Sequence, residues 1–191
     1  MLHTFEINDE QEDFTRPWLE NSPYADKIKF YIGDALEIVP GMEIVFDLAF
    51  VDGNKRFYVE YYEMILQKMH SGGYIIADNT LWDGHVLEEP HHTDTQTIGI
   101  KKFNDLVAAD TRVEKVILPL RDGLTIIRKT SNGKTGNNQT KQDCPPHSEG
   151  TERNLSFADQ VNAWCAGFGQ HCPHQSRYEL CACISERLPF R

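Results

Sequence analysis

The chain has 191 residues, 40% of them hydrophobic, which is enough for one domain with a sizeable core. Its formal net charge of -10 argues against a nucleic-acid partner, because phosphate recognition needs clustered Lys and Arg. The apolar runs are too short to span a bilayer, and the opening MLHTFEINDE lacks the basic and apolar regions of a signal peptide, so a soluble cytoplasmic protein without a membrane partner is expected.

Up to about Lys129, strand-like and helix-like patterns alternate. LHTFEI reads as a strand ending near Glu6. NDEQEDFTRPWLENS reads as a helix capped by Asn8 or Asp9, with acidic residues in its first turn and a distortion expected at Pro17. KIKFYIG is a second strand, followed by a turn at Gly33-Asp34. IVFDLAFVDG is a third, nearly all apolar, as suits a strand covered on both faces. Tyr58, Tyr61, Tyr62, Ile65, Leu66 and Met69 follow the spacing of one helical face, and Gly72-Gly73 is expected to end that helix. YIIAD is the fourth strand. A polar loop rich in His, Asp and Thr follows, then a helix over IGIKKFNDLVAAD. VEKVILPL and GLTIIRK are joined by the tight turn Arg121-Asp122-Gly123, so they are expected to form an antiparallel hairpin. Strands separated by helical crossovers give an α/β fold with an open, mostly parallel sheet.

After Lys129 the character changes. Residues 130–154 are polar and without apolar periodicity, and read as a linker or disorder. Residues 155–191 hold one short amphipathic candidate, LSFADQVNAWCAGF, and then irregular sequence rich in Cys, His and Pro. The five cysteines all lie in this last third, at Cys144, Cys165, Cys172, Cys181 and Cys183, so they are not a disulfide framework for the fold. Their spacing, with His174, matches no paired Cys-x-x-Cys zinc pattern.

In an open parallel sheet, ligands bind beyond the carboxyl ends of the strands. Four such ends offer a carboxylate: Glu6, Asp34, Asp52 and Asp78, the last followed by Asn79. Any one of them is equally well read as a turn or cap residue. Together, Asp52, Asp78 and Asn79 form a candidate hard-cation site, because all three offer the oxygen ligands that suit Mg²⁺ or a similar divalent ion. A lysine at a helix start, such as Lys55, is by itself an ordinary surface charge. Trp82 alone could simply cover the sheet edge. The tyrosines of the Tyr58 to Met69 helix read as core, and His85, His91 and His92 as members of a solvated loop.

FDLAFVDGNKRFYVEYYE, followed by GGYIIADNTLWDG and ending in DGLTIIRK, resembles the cation-dependent, S-adenosylmethionine-using O-methyltransferases of the catechol and caffeoyl-CoA type. The resemblance runs from about Leu2 to Lys129. It implies a Rossmann-like methyltransferase domain over residues 1–129 and two cofactors, S-adenosylmethionine and a divalent cation such as Mg²⁺. It also implies a catechol-like hydroxylated substrate and a homodimer. Asp52, Asp78 and Asn79 match the family's metal ligands, and Lys55 its catalytic base, with Asp52 and Asn79 completing the catalytic set. Glu6 matches the acidic residue on the cofactor ribose, Asp34 and Ala35 residues at the adenine, and Asp52 also the place of the methionine amine. Trp82 lies in the loop that would flank cofactor and substrate. The chemistry agrees with these roles. A divalent ion chelated by neighbouring hydroxyls lowers their pKa, and a lysine near a cation and partly buried becomes a usable base.

The resemblance also implies an earlier strand with a glycine-rich turn, and only five residues precede Glu6. That strand is expected at the sheet centre, between the strands ending at Glu6 and Asp52. Without it, two half-sheets with unpaired apolar edges are expected. A truncated or frame-shifted chain, the carboxyl-terminal part of an enzyme carrying an unrelated tail, is the explanation this suggests. Two functional readings follow: a methyltransferase, or a non-catalytic remnant that binds a partner chain through its tail. A nicotinamide-dependent Rossmann enzyme gives a role to Glu6 but none to Asp52, Lys55 and Asp78-Asn79 together.

Overall fold

A computed structural model of the chain describes residues 1–131 and, as backbone only, 182–186. The first strand, β1 (Leu2–Glu6), pairs in parallel with β2 (Ile28–Ile32). Between them a 3-10 turn at Asp9–Gln11 leads into α1 (Glu12–Glu20), and Asn8 caps that turn by accepting the Glu10 N–H. The helix runs through Pro17 without ending. Asp34 caps the short α2 (Ala35–Ile38) by accepting the Leu36 N–H. β3 (Phe46–Val51) pairs in parallel with β4 (Met69–Asp78), and α3 (Tyr58–Gln67) makes the crossover between them.

α4 (Thr95–Ala109) connects β4 to β5 (Val113–Leu118), which forms the expected antiparallel hairpin with β6 (Leu124–Lys129). The seventh strand, β7 (Ala182–Glu186), lies between β1 and β3 and runs antiparallel to both. The sheet order is β2-β1-β7-β3-β4-β6-β5.

Two expectations are corrected here. Gly72-Gly73 does not end the third helix. α3 stops at Gln67, and both glycines lie inside β4, which starts at Met69. Met69 continues the apolar spacing of α3 but is buried as the first residue of the strand, so one apolar stripe spans two elements. Gly73 is required there, because a Cβ would stand 2.5 Å from Met69 Cγ. The second correction concerns the gap beside β1. The edges of β1 and β3 are not left unpaired, because β7 supplies backbone partners to both, with Cys183 in register with Thr4 on one side and Phe50 on the other. The other motifs of residues 132–181, including the amphipathic candidate and the remaining cysteines, lie outside the described residues.

The core lies where α3 and α4 pack on one sheet face. Ala49, Val51, Ile75, Ala77 and Ile127 alternate along the strands to meet Tyr58, Tyr62, Ile65, Ile100 and Phe103. Phe103 takes both tyrosine rings edge-on, with centroids 5.3 Å from Tyr58 and 5.9 Å from Tyr62. These tyrosines are core, as their spacing predicts. On the opposite face Leu48, Tyr74 and Val116 are exposed. No helix among the described residues is long and apolar enough to cross a membrane.

Candidate functional site

β1 and β3 are both antiparallel to β7, so β1, β2, β3 and β4 all point the same way. The four strand-end carboxylates Glu6, Asp34, Asp52 and Asp78 are therefore brought to one edge of the sheet, as the alternating pattern predicts.

At the centre of this edge, β3 and β4 end side by side, with Val51 in register with Ala77. Asp52 and Asp78 are the next residues on each strand. The Tyr58 hydroxyl spans the two strands beneath them, donating toward the carbonyls of Val51 at 3.2 Å and Asp78 at 3.0 Å. Asn54 caps the turn that follows by accepting the Arg56 N–H, and this delivers Lys55 back toward the strand. Lys55 Nζ donates to Asp52 Oδ1 at 2.7 Å, with the two side chains only 8% and 12% exposed. Lys55 is thus an enclosed ion-pair partner and not a solvated surface charge. Its ammonium also stands 5.0 Å from the Tyr58 ring and 6.0 Å from the Trp82 ring.

The electrostatics of this edge are strained toward excess negative charge. Burial raises the Asp52 carboxyl above its usual range. The hydrogen bond and charge of Lys55 pull it back down, and the neighbouring Asp78 charge pushes it up again. The Tyr58 phenol is pushed well above its ordinary value, by burial first and then by Asp52, Asp78, Tyr61 and Asp122.

The loop after β4 is built from unusual backbone. Asn79, Trp82 and Asp83 take φ of 57°, 49° and 51°, a left-handed region that Asn tolerates and a bulky Trp rarely enters. Hydrogen bonds to the β5–β6 turn hold it there. The Thr80 N–H donates to the Gly123 carbonyl at 3.2 Å and the Leu81 N–H to the Asp122 carbonyl at 2.9 Å. The Asp83 N–H donates to the Asp122 carboxylate, which also accepts from the Asn79 carboxamide. Burial and then the Asp83 and Asp78 charges raise the Asp122 carboxyl, while the hydrogen bonds lower it. Gly123, at φ 83°, is required, since a Cβ would stand 2.5 Å from Leu81 Cγ. Asp122 is a neighbour of the site that the sequence presents only as a turn residue. Its one signal is the Asp-Gly pair, which fits the turn equally well without a site.

Asp52 and Asp78 are therefore neighbours at this edge, and Asn79 follows with its N–H donating to Asp78 Oδ1 at 2.7 Å while its carboxamide donates to Asp122. Among the described residues no group of three or more His, Cys, Asp or Glu side chains forms a metal cluster. His85, His91 and His92 are exposed, in keeping with a solvated loop. The donor set still fits a hard divalent ion: its atoms are oxygens, and the Asp52 carboxyl is raised by burial first and also by the Asp78 charge.

Toward the other end of the edge, the Glu6 carbonyl accepts the Gly33 N–H at 2.8 Å, which fixes Glu6 beside the Gly33-Asp34 turn. Glu6 Oε1 accepts the Asn8 N–H at 2.8 Å. Ala35 is buried under the Asp34 cap. The Asp34 charge contributes to raising the Tyr61 phenol, after burial, so it lies within electrostatic reach of α3. Glu6 and Asp34 are adjacent to each other, and β7 separates Glu6 from Asp52. A carboxylate with two oxygens at the end of β1 suits the adjacent hydroxyls of a ribose.

Residues 1–130 match the family model described as O-methyltransferase. Tricin synthase 1 of Oryza sativa subsp. japonica is 37% identical over 134 residues, 63% of this chain and 53% of that protein. Caffeoyl-CoA O-methyltransferase 1 of Eucalyptus globulus is 34% identical over 136 residues, 66% of this chain and 55% of that one. The chain thus spans about half the length of these curated relatives. Among solved structures, an O-methyltransferase from Bacillus cereus in complex with SAH is 26% identical with a TM-score of 0.63, covering 67% of this chain and 62% of that one. TomG, an O-methyltransferase of Streptomyces achromogenes crystallised with SAM, is 25% identical with a TM-score of 0.62, covering 68% and 61%. These likenesses give the sheet the Rossmann-like methyltransferase fold. Since the family model takes in every described element except β7, the chain belongs to the O-methyltransferase family.

Proposed function

We propose that this sheet edge is the site of an O-methyltransferase that takes the methyl group of S-adenosylmethionine and, with a divalent cation, passes it to a hydroxyl of a catechol-like small molecule. The observation that supports it is the enclosed Lys55–Asp52 pair beside Asp78 and Asn79. The Asp52 carboxyl is raised by burial and, to a lesser extent, by the Asp78 charge, in a place where a cation would offset the excess negative charge. Asp52, Asp78 and Asn79 would hold the ion, which when bound lowers the pKa of a coordinated hydroxyl. Lys55 would first release its ammonium proton to solvent, and the neutral amine would then take the acceptor proton at Nζ, restoring the cation seen in the Asp52 pair. Glu6 accepts the ribose hydroxyls of the cofactor, Asp34 and Ala35 flank its adenine, and Asp52 also receives its amino group. Trp82 walls the acceptor side. Holding donor and acceptor in line supplies much of the acceleration.

One observation favours the second reading, a non-catalytic domain: the backbone slot between Glu6 and Asp52 is filled by β7. Calorimetric titration of the full chain with S-adenosylmethionine, with and without Mg²⁺, separates the two. The enzyme reading expects cofactor binding and transfer to a catechol that stops in excess chelator and in Asp78→Ala. Folded chain that binds no cofactor sinks it.

A further inference from the structure

Lys55 and Trp82 come from different loops, their side chains meet with the ammonium 6.0 Å from the indole ring, and one helix holds both loops. α4 is capped by Asp94, whose carboxylate accepts the Thr97 N–H at 3.1 Å and the Thr97 hydroxyl at 2.6 Å. Because that hydroxyl donates to Asp94, it faces the other way as an acceptor, and it receives the Trp82 indole N–H at 3.1 Å. Thr97 is 1% exposed, so the indole bond is shielded from water. Two residues on, Gly99 lies against the Lys55 turn itself. A Cβ there would stand 2.4 Å from the Lys55 carbonyl oxygen and 2.7 Å from Arg56 Cα, so only glycine allows this approach. Further along, Asn104 Nδ2 donates at 2.8 Å to the carbonyl of Thr80, at the root of the Trp82 loop.

The Trp82 backbone at φ 49° makes these anchors necessary. A bulky residue in the left-handed region is strained and persists only where its surroundings over-determine it. An indole N–H fixed to a buried hydroxyl, itself oriented by a carboxylate, is such a constraint.

We propose that Thr97 is a positioning residue for the acceptor side of the site. The chain Trp82 N–H to Thr97 hydroxyl to Asp94 carboxylate fixes the indole plane beside Lys55. α4 thereby sets the spacing between the aromatic wall and the base. The kinetic part of this inference rests on the methyl-transfer reading; the geometric part does not.

The test uses the full chain and two readouts. The chain has three tryptophans, so the Trp82 emission is isolated as the difference from Trp82→Phe. In Thr97→Val that emission and its quenching by acrylamide change, and in Thr97→Ser, which keeps the hydroxyl, both return to the original. Asp94→Asn keeps a good helix cap and leaves Thr97 in place. It gives a smaller change of the same sign, and so carries the test if Thr97→Val does not fold. With a catechol acceptor and Mg²⁺, Thr97→Val raises the acceptor KM about tenfold, the scale of one shielded hydrogen bond, and leaves the S-adenosylmethionine KM unchanged. Unaltered Trp82 emission in Thr97→Val, or a Thr97→Ser chain that behaves like Thr97→Val, overturns the proposal. If the unsubstituted chain transfers no methyl group, the reaction reading falls, and the emission readout still decides the positioning role.

Discussion

Tyr58→Phe isolates the tie between the two strands that carry the central carboxylates. The ring is fully buried and packs edge-on against Phe103, and phenylalanine keeps that packing. What is lost is one donor, shared between the carbonyls of Val51 and Asp78. Removing a buried donor and leaving its acceptors short costs about 1–2 kcal/mol. With a urea slope of about 2 kcal/mol/M, the unfolding midpoint falls by about 0.5–1 M at unchanged slope. Far-ultraviolet circular dichroism in urea measures this directly. A second readout comes from the phenol. Burial and the surrounding carboxylates hold Tyr58 well above the ordinary tyrosine range, so it stays protonated where exposed tyrosines ionise, near pH 10. The phenolate absorbance step near that pH therefore keeps its amplitude in Tyr58→Phe. An unchanged urea midpoint, or a step smaller by one tyrosine, refutes the reasoning.

Gly99→Ala places a methyl group into the backbone of Lys55 and Arg56. Overpacking of this kind costs about 1–3 kcal/mol, read as a lower thermal midpoint, and it displaces the turn that carries Lys55. Asp122→Asn tests the excess negative charge. Burial raises the Asp122 carboxyl, so the wild-type chain loses stability relative to the unfolded state as pH rises from about 4 through the folded pKa. The variant lacks this loss. Its stability relative to wild type, from urea midpoints between pH 3 and 8, therefore increases with pH and then levels off; a difference independent of pH counts against the assignment.

The parts of the fold that sequence exposes are those whose periodicity is local. The α3 face, the apolar β3 and the β5–β6 hairpin are readable because each carries its pattern within one short stretch of chain. The end of α3 is not, because Met69 satisfies both the helical spacing and the first buried position of β4. Glycines at 72 and 73 resemble a helix stop but serve instead a positive φ and a close approach to Met69. In the site, Asp52, Asp78 and Asn79 are visible because strand ends announce themselves. Asp122, Thr97 and Gly99 are not, since Asp122 acts through Asp83 39 residues away, Thr97 through Trp82 15 residues away and Gly99 through an absent side chain, and none of these leaves a local pattern. Thr97 Oγ1 matters only because the Trp82 indole arrives beside it.

The direction of β7 bears on how the two halves of this edge work together. A parallel strand in that slot would end, like β1 and β3, at the edge that carries Glu6 and Asp52, and could turn there into a helix whose N-terminus faces an anionic group. β7 runs the other way, so its first residue, Ala182, lies at that edge, in register with Phe5, and its last lies at the far side. The slot is therefore closed in hydrogen bonding but not supplied with a strand-to-helix turn of its own. The residues proposed to hold the cation do not depend on that turn, because Asp52, Lys55, Asp78 and Asn79 are held by Tyr58, Asn54 and Asp122. The proposed ribose side rests, among the described residues, on Glu6 and the Gly33-Asp34 turn. The two halves should thus separate in titration: divalent-ion binding is expected to survive substitution of Ile184 by proline, which removes a ladder donor from β7. Cofactor binding is expected to weaken as the β1 half loses its register to β3. Equal loss of both would mean that the edge is one cooperative unit whose central strand is as necessary to the metal side as to the ribose side.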